Sequence, residues 1–155
     1  MLHTIRRKQF IKSDLHSLWS FISSPLNLAL ITPASLQFEV IDHESYADKM
    51  YAGQIIEYYV TPFAGFRTHW VTEITHVTEN EYFADEQRIG PYKLWHHEHF
   101  IKKVSGGIEM TDVVHYKIPF GFLGVIANNL FIRKKLKNIF DYRYVKFEEM
   151  FNYEG

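Results

Sequence analysis

The chain of 155 residues has the length of a single domain, and its hydrophobic content of 46% excludes an intrinsically disordered protein. Seventeen basic and eighteen acidic side chains nearly cancel, so the overall charge favours neither nucleic acid nor an anionic membrane as a partner. The chain has no cysteine, which excludes disulfides and thiolate chemistry.

The first ten residues, MLHTIRRKQF, lack the apolar core and the small-residue cleavage site of a secretory signal. No segment of the sequence approaches the roughly 18 apolar residues that a membrane span needs. We therefore expect a cytoplasmic protein that does not insert into membranes and that forms one domain over residues 1–155.

The N-terminal third predicts one strand and two short helices. Residues 3–11 are rich in β-branched and basic side chains and predict the strand. The segment SDLHSLWSFISSP then predicts a helix, with Ser13 as its cap and apolar residues at helical spacing. Pro25 suits the first position of a second helix, which ends before Pro33.

Strand patterns dominate the middle of the chain, and a helical pattern returns at its end. Turn residues such as Asn80 and Gly90 separate most of the strands. The predicted strands cover about 35–42, 50–60, 66–77, 82–89, 94–104 and 108–118. From about Leu123 onward, one long helix is predicted. Its inward stripe is predicted to be Ile126, Leu130, Arg133, Leu136, Phe140, Tyr144, Phe147 and Phe151.

This order of elements predicts an α+β fold, in which a strongly curved seven-stranded antiparallel sheet wraps around the long C-terminal helix. The order resembles the helix-grip fold of the START and polyketide-cyclase (SRPBCC) superfamily over essentially the whole chain. The segments FADEQRIGPYKLWHHEH, MTDVVHYKIPFGFLG and IFDYRYVKFEEMF resemble its bacterial ligand-binding SRPBCC branch. The resemblance implies a cavity between sheet and helix that holds a small hydrophobic or lipid-like molecule.

Three histidines in the segment GPYKLWHHEHF need an explanation. Because strand side chains alternate, His97 and His99 share one face with Trp95, while His96 lies on the other. In the next strand, Asp112 lies on the mostly apolar face. We predict that these two faces point inward, and that His96 points outward.

Hairpin geometry supports this choice. A two-residue turn at Ser-Gly or Gly-Gly makes the numbers of opposed residues sum to 211 or 213, so His97 and His99 meet even-numbered residues such as Asp112. The same argument predicts that the numbers of opposed residues sum to an odd value across the turn at Asn80. Across a three- or five-residue loop at Gly90 it predicts an even value. Asp85 is thereby brought opposite the histidines.

The predicted ligand-binding residues are therefore an apolar wall with a few polar groups for orientation, which is typical of ligand pockets. The wall is Trp70, Phe83, Trp95 and Tyr116. The polar groups are Asp85, Gln87, His97, His99 and Asp112, together with Arg143 on the last helix.

Several functions fit this set of side chains. The first is a carrier or sensor of a small hydrophobic molecule. The second is a polyketide cyclase or dehydratase that uses a His/Asp pair for acid–base chemistry. The polar groups also fit a purely structural network, and the chain also fits an interaction module without a cavity ligand.

Metal binding is a further alternative, because His97 and His99 with Asp85 or Asp112 would supply three ligands. The spacing lacks the tighter patterns of known zinc motifs, so we predict neither a metal nor a cofactor. The glycine-containing segment IPFGFLGVIANNLF is predicted to pack on the core and to act as a lid over the cavity mouth.

Overall fold

The structure, a computed structural model, describes residues 1–41, 49–63 and 65–152. Its strands are β1 (His3–Ile11), β2 (Glu39–Val40), β3 (Ile55–Phe63), β4 (Phe66–Thr78), β5 (Tyr82–Ile89), β6 (Leu94–Val104) and β7 (Gly107–Lys117). Its helical segments are α1 (Leu15–Ile22), two 3-10 segments (Pro25–Ile31 and Ala34–Leu36), α2 (Gly121–Ala127), a π turn (Asn128–Ile132), α3 (Arg133–Phe147) and a second π turn (Glu148–Asn152). Among the described residues, no helix is both long enough and apolar enough to cross a bilayer.

The seven strands form one antiparallel sheet in the order β1-β7-β6-β5-β4-β3-β2. The long helical segment, residues 121–152, follows the last strand and is called the C-terminal helix below. The predicted α+β class and the seven-stranded antiparallel sheet are confirmed.

The register of the central strands places the histidines as predicted. Val104 pairs with Gly107 across a two-residue turn, so that His99 lies opposite Asp112. On the other side of β6, Asp85 lies opposite His97, and their residue numbers have the predicted even sum. Because side chains alternate along a strand, these pairings put His97, His99, Asp85 and Asp112 on one face of three adjacent strands.

The hairpin between β4 and β5 differs from the prediction next to its turn. Val77 pairs with Phe83 there, so the numbers of opposed residues have an even sum instead of the predicted odd one. The register then shifts between Ile74 and His76. Beyond this bulge the pairing of Ile74 with Asp85 has the predicted odd sum. A β-bulge adds one residue to one strand and so reverses which side chains share a face.

Several predicted boundaries were wrong. The strand predicted for about 35–42 is reduced to β2, because Pro33 starts a 3-10 turn and Gln37 has a left-handed backbone with φ 47°; residue 42 lies outside the described residues. The strand predicted from about residue 50 begins only at Ile55, after a turn at Gly53 with φ 91°. The cap of α1 is Asp14 rather than Ser13, since the Asp14 side chain accepts from the Ser17 amide.

The C-terminal helix is not one regular α-helix, and its inward stripe differs from the predicted one. Ile126, Leu130 and Tyr144 are exposed. Among the described side chains of this helix, the buried ones are Asn128, Ile132, Leu136, Phe140 and Phe147. A π turn holds more residues per turn than an α-helix, so the π turn before α3 shifts which side chains face the sheet.

Two groups of buried apolar side chains fill the space between sheet and helices. One is centred on α1 and includes Trp19, Phe83 and Phe147. The other lies under α3 and includes Trp70 and Leu136. The candidate site lies where the two groups meet.

Candidate functional site

A partly open cavity of about 190 Å³ lies between the inner face of the sheet, the 3-10 segments and the C-terminal helix. Aromatic side chains from four strands, from the loop before β6 and from α3 form much of its wall. They are Tyr58, Trp70, Phe83, Tyr92, Trp95 and Phe140. Trp70 packs edge-on against Trp95, with ring centroids 5.5 Å apart, so the rings support one another as well as the cavity.

Seven of the ten predicted ligand-binding residues line this cavity. They are Trp70, Phe83, Asp85, Trp95, His97, His99 and Arg143. Strand alternation and the register of β5 and β6 are sufficient to bring Phe83, Asp85, Trp95, His97 and His99 together, and Trp70 joins them from β4. Arg143 reaches the same space from α3, on the opposite wall.

Asp85, His97, His99 and Asp112 form what we call the polar cluster. Its two imidazoles lie side by side, with ring centroids 3.8 Å apart. His99 Nδ1 is 2.7 Å from Asp112 Oδ1, and His99 Nε2 is 3.3 Å from Asp85 Oδ1. Of these two contacts, the one to Asp85 has hydrogen-bond geometry. His97 is placed in the same way, with Nε2 3.4 Å from Asp112 Oδ1 and Nδ1 3.6 Å from Asp85 Oδ1.

Burial and mutual attraction have opposite effects on the charges of the polar cluster. Burial by itself would raise the pKa of Asp85 and Asp112, but the adjacent imidazoles lower the pKa of both carboxyls below the usual value. Burial and the neighbouring His99 lower the pKa of His97. The two carboxylates overcome the effect of burial on His99 and raise its pKa. The cluster therefore holds two carboxylates, one ring that favours its charged form and one that favours its neutral form.

Arg143 supplies a positive charge to the cavity from the helix side. Its guanidinium lies 5.3 Å from the centroid of the Phe140 ring, and no carboxylate among the described residues lies within ion-pair distance of it. Its Nε atom is buried and has no hydrogen-bond partner within the described chain. Arg143 also contributes to the lowered pKa of Asp85, so the two charges act on each other across the cavity.

Three predicted ligand-binding residues do not line the cavity. Gln87 uses its side-chain amide to bind the loop before β6, donating to the Tyr92 carbonyl oxygen at 2.7 Å and accepting from the Tyr92 amide at 3.2 Å. Tyr116 is buried and donates to Asn128 Oδ1 at 2.9 Å. Asp112 lies behind the imidazoles and lines a second hollow beside Arg7. Strand parity predicted the face of these residues, whereas their depth and neighbours decide what their side chains contact.

Several polar side chains of the cavity wall were missed, and two of them contact each other. The Tyr58 hydroxyl and Thr72 Oγ1 lie 3.0 Å apart on neighbouring strands, and both residues line the cavity. Burial raises the pKa of Tyr58, so the phenol stays protonated. The sequence signal was available for Thr72, which shares its face with Trp70. The placement of Tyr58 opposite Trp70 depends on the register shift between Val60 and Phe63.

The predicted lid does not cover this cavity. None of the described side chains of its glycine-containing segment lines the wall, and Phe120, Phe122 and Leu123 are largely exposed. The cavity is bordered instead by the 3-10 segments, through residues such as Pro25 and Leu28. The glycines of the predicted lid are needed by the local backbone. Gly121 has a left-handed φ of 54°, and a Cβ at Gly124 would lie 2.1 Å from the Pro119 carbonyl oxygen.

Comparison with known proteins supports the fold. No family model matches the chain, and no curated protein matches it. Solved structures do match over almost the whole chain. CV1439 from Chromobacterium violaceum is 12% identical with a TM-score of 0.72, covering 97% of this chain and 99% of that one. TTHA0849 from Thermus thermophilus is 14% identical with a TM-score of 0.71, covering 95% of each chain.

A plant protein shares the same architecture. Major latex-like protein 151 from Panax ginseng is 13% identical with a TM-score of 0.68, covering 96% of each chain. The chain therefore has the helix-grip fold, and the predicted resemblance to that superfamily is confirmed at the level of the fold. At these identities the likeness concerns the fold alone.

Proposed function

We propose that the protein binds a small hydrophobic or lipid-like molecule in the cavity between sheet and C-terminal helix, as a carrier or sensor in the cytoplasm. The observation that carries this proposal is a cavity with aromatic walls on which a few polar groups converge. Ligand sites combine a mostly apolar wall with a small number of orienting polar groups. The neighbours support a ligand-binding fold in general.

The polar groups favour a guest with a polar end. Arg143 faces the cavity without a carboxylate partner among the described residues, while His97 and His99 line the wall across from it. A guest whose apolar part packs against Trp70 and Trp95 would bring a hydroxyl, carbonyl or carboxylate group to these side chains.

The proposal is tested by filling the cavity. Ile139 lines the cavity, whereas the next residue along the helix towards the N-terminus, Asn138, is exposed. Ile139→Trp should weaken the binding of the fluorescent probe 1-anilinonaphthalene-8-sulfonate by about tenfold or more, about 1.4 kcal/mol. Asn138→Trp is the matched control and should bind like the wild type.

Native mass spectrometry of untagged protein provides a second measurement. We expect a co-purified small molecule in the wild type and less of it in Ile139→Trp. Equal binding of the probe by both tryptophan variants, with no co-purified molecule in either, would contradict the proposal.

The opposite pKa shifts of two adjacent imidazoles favour a second candidate, a cyclase or dehydratase of polyketide-like substrates. A ring that favours its neutral form and a neighbour that favours its charged form are suited to the roles of general base and general acid. Turnover of a linear poly-β-ketone thioester that disappears in His97→Gln, with probe binding retained, would favour this enzyme over the carrier.

A further inference from the structure

The side chains of Asp85, His97 and His99 present three potential ligand atoms within 4.8 Å of one another, and all three residues line the cavity. Asp85 Oδ1 lies 3.3 Å from His99 Nε2 and 3.6 Å from His97 Nδ1. Two donors bound to one tetrahedral ion at about 2.0–2.1 Å lie roughly 3.3–3.4 Å apart. Both separations from Asp85 Oδ1 thus suit ligands that share a cation, and the 3.6 Å one is too long for a hydrogen bond.

The opposite ring nitrogens face a different carboxylate. His99 Nδ1 is 2.7 Å and His97 Nε2 is 3.4 Å from Asp112 Oδ1. Asp112 is buried behind the imidazoles and does not line the cavity. A carboxylate in this position, facing the second nitrogen of each ring, is the usual outer partner of metal-binding histidines.

A count of protons shows why a cation suits this site. A neutral imidazole carries one N–H, yet each ring of the pair faces a carboxylate oxygen with both nitrogens. Any neutral ring here therefore directs one lone pair at a carboxylate. His97 illustrates the mismatch, because its Nε2 and Asp112 Oδ1 are buried and have no hydrogen-bond partner within the described chain. An ion beside Asp85 would leave both N–H groups to donate to Asp112.

We propose that Asp85, His97 and His99 bind a divalent first-row transition-metal ion, with Asp112 as the residue that orients both imidazoles. Two nitrogens and one oxygen are a ligand set that suits Zn²⁺, Fe²⁺ or Co²⁺. Three protein ligands would leave a coordination position of the ion open, and this position would face the cavity that all three residues line. The inference deepens the proposed function and rests on it for the identity of the group that occupies the open position.

Local charge indicates what that group is. Asp85 and Asp112 together balance the charge of a divalent ion, so the positive charge of Arg143 on the opposite wall remains. An anionic oxygen of the guest, such as a carboxylate or enolate oxygen, therefore fits the open position. This favours amphipathic acids over neutral apolar molecules as ligands.

The test uses untagged full-length protein that has been treated with a chelator and then titrated with Co²⁺ or Zn²⁺. We expect one ion per chain, with the visible absorption of a four- or five-coordinate Co²⁺ complex. Asp85→Asn and His97→Gln should each weaken binding by about 100-fold or more, since each removes one of three ligands. His96→Gln and His115→Gln change histidines on the outer face of β6 and β7 and should leave binding unchanged.

Asp112→Asn tests the orienting role. The variant should still bind one ion per chain, with an affinity about 10–100-fold lower. An affinity equal to that of the wild type would overturn the role of Asp112. Circular dichroism identifies any variant that fails to fold. If Asp85→Asn fails to fold, the metal titration of His97→Gln takes its place as the test.

Two outcomes overturn the metal site: no stoichiometric Co²⁺ binding by the wild type, or binding that survives Asp85→Asn and is lost in His96→Gln. Binding of 1-anilinonaphthalene-8-sulfonate to chelator-treated protein separates this inference from the proposed function. If the probe binds and Co²⁺ does not, only the metal site fails. If Co²⁺ binds and the probe does not, the cavity function fails.

Discussion

At the scale of single residues, the polar cluster shows that a buried charge is tolerated when its partners are fixed by the backbone. Asp112 is 6% exposed and lies against two imidazoles held on the neighbouring strand. An ionised carboxylate without such partners would be strongly destabilising in this position. The loss of these contacts should therefore appear as a lower free energy of unfolding.

Asp112→Asn should lower the free energy of unfolding of metal-free protein by about 3 kcal/mol at neutral pH, because it removes a buried charge that two imidazoles face. The pKa of Asp112 is lowered in the folded state, so its stabilisation is complete above the unfolded value of about 3.9 and is lost as pH falls through the folded value. The difference between variant and wild type should thus shrink below about pH 4. Urea unfolding with a chelator present measures it.

Glu109→Gln provides the control for that measurement. Glu109 lies on the same strand and forms an ion pair with the exposed Lys8. Its loss should cost less than about 1 kcal/mol. Equal unfolding free energies for Asp112→Asn and wild type at neutral pH would show that the cluster does not stabilise the fold.

Tyr58 leads to a prediction for alkaline conditions. Burial raises its pKa in the folded state, so the unfolded chain releases this proton first. Its stabilisation is complete below the unfolded value of about 10 and is lost as pH rises through the folded value. Tyr58→Phe removes this titration, so its unfolding free energy should fall less steeply than that of the wild type between about pH 9 and 11.

The control is Tyr51→Phe, since Tyr51 is exposed. It should keep the slope of the wild type in urea unfolding at the same alkaline pH values. A Tyr58→Phe slope that matches the control would mean that the Tyr58 phenol is not enclosed.

At the scale of elements, a buried hydrogen bond joins the last strand of the sheet to the C-terminal helix. Tyr116 near the end of β7 donates to Asn128 at the start of the π turn, and both residues are buried. Buried polar groups are normally paired, so this bond favours the helix phase in which Asn128 faces the sheet. The stripe that faces the cavity from α3 follows from that phase.

Tyr116→Phe should lower the free energy of unfolding by about 1–3 kcal/mol, because Asn128 Oδ1 would lose its donor in a buried site. Amide exchange in residues 128–132 should become faster. Binding of 1-anilinonaphthalene-8-sulfonate should change little, since Tyr116 does not line the cavity.

Tyr82→Phe is the comparison, because the Tyr82 hydroxyl donates to Glu98 on the outer face of the sheet. Water can replace that partner, so the cost should be smaller. A large loss of probe binding in Tyr116→Phe would contradict its placement outside the cavity.

At the scale of the whole molecule, the strands and segments on the two sides of the cavity differ in how many of their residues are paired in the sheet. β6 and β7 pair over eleven residues in the middle of the sheet, whereas β2 has two residues and lies at the edge. The 3-10 segment Pro25–Ile31 next to the cavity has no sheet partner. Such segments open at low free energy, which makes them the expected route of entry for a guest.

Hydrogen exchange followed by mass spectrometry should therefore show the slowest exchange in β6 and β7 and the fastest in β2 and the 3-10 segments. Saturation with 1-anilinonaphthalene-8-sulfonate should slow exchange in residues 25–36, which border the cavity, more than in β1, which contributes no residue to its wall. Equal slowing in both regions would indicate a general stabilisation without binding in the cavity.

The sequence by itself determined the order of the elements, the antiparallel sheet and the shared face of Asp85, His97 and His99. Strand alternation and turn length are local properties, and they are sufficient to fix parity between β6 and its neighbours β5 and β7, where no bulge shifts the register. For this reason the pairing of His99 with Asp112 was predictable.

Only the tertiary structure decided which of these side chains reach open space. The π turn before α3, the bulge in β4 and the depth of Asp112 behind the imidazoles depend on contacts between segments far apart in the chain. A residue number gives the face of a strand, but the packing of the opposite layer sets the depth and the neighbours of each side chain. Tyr116 and Gln87 were thus predicted on the correct face and lie outside the cavity.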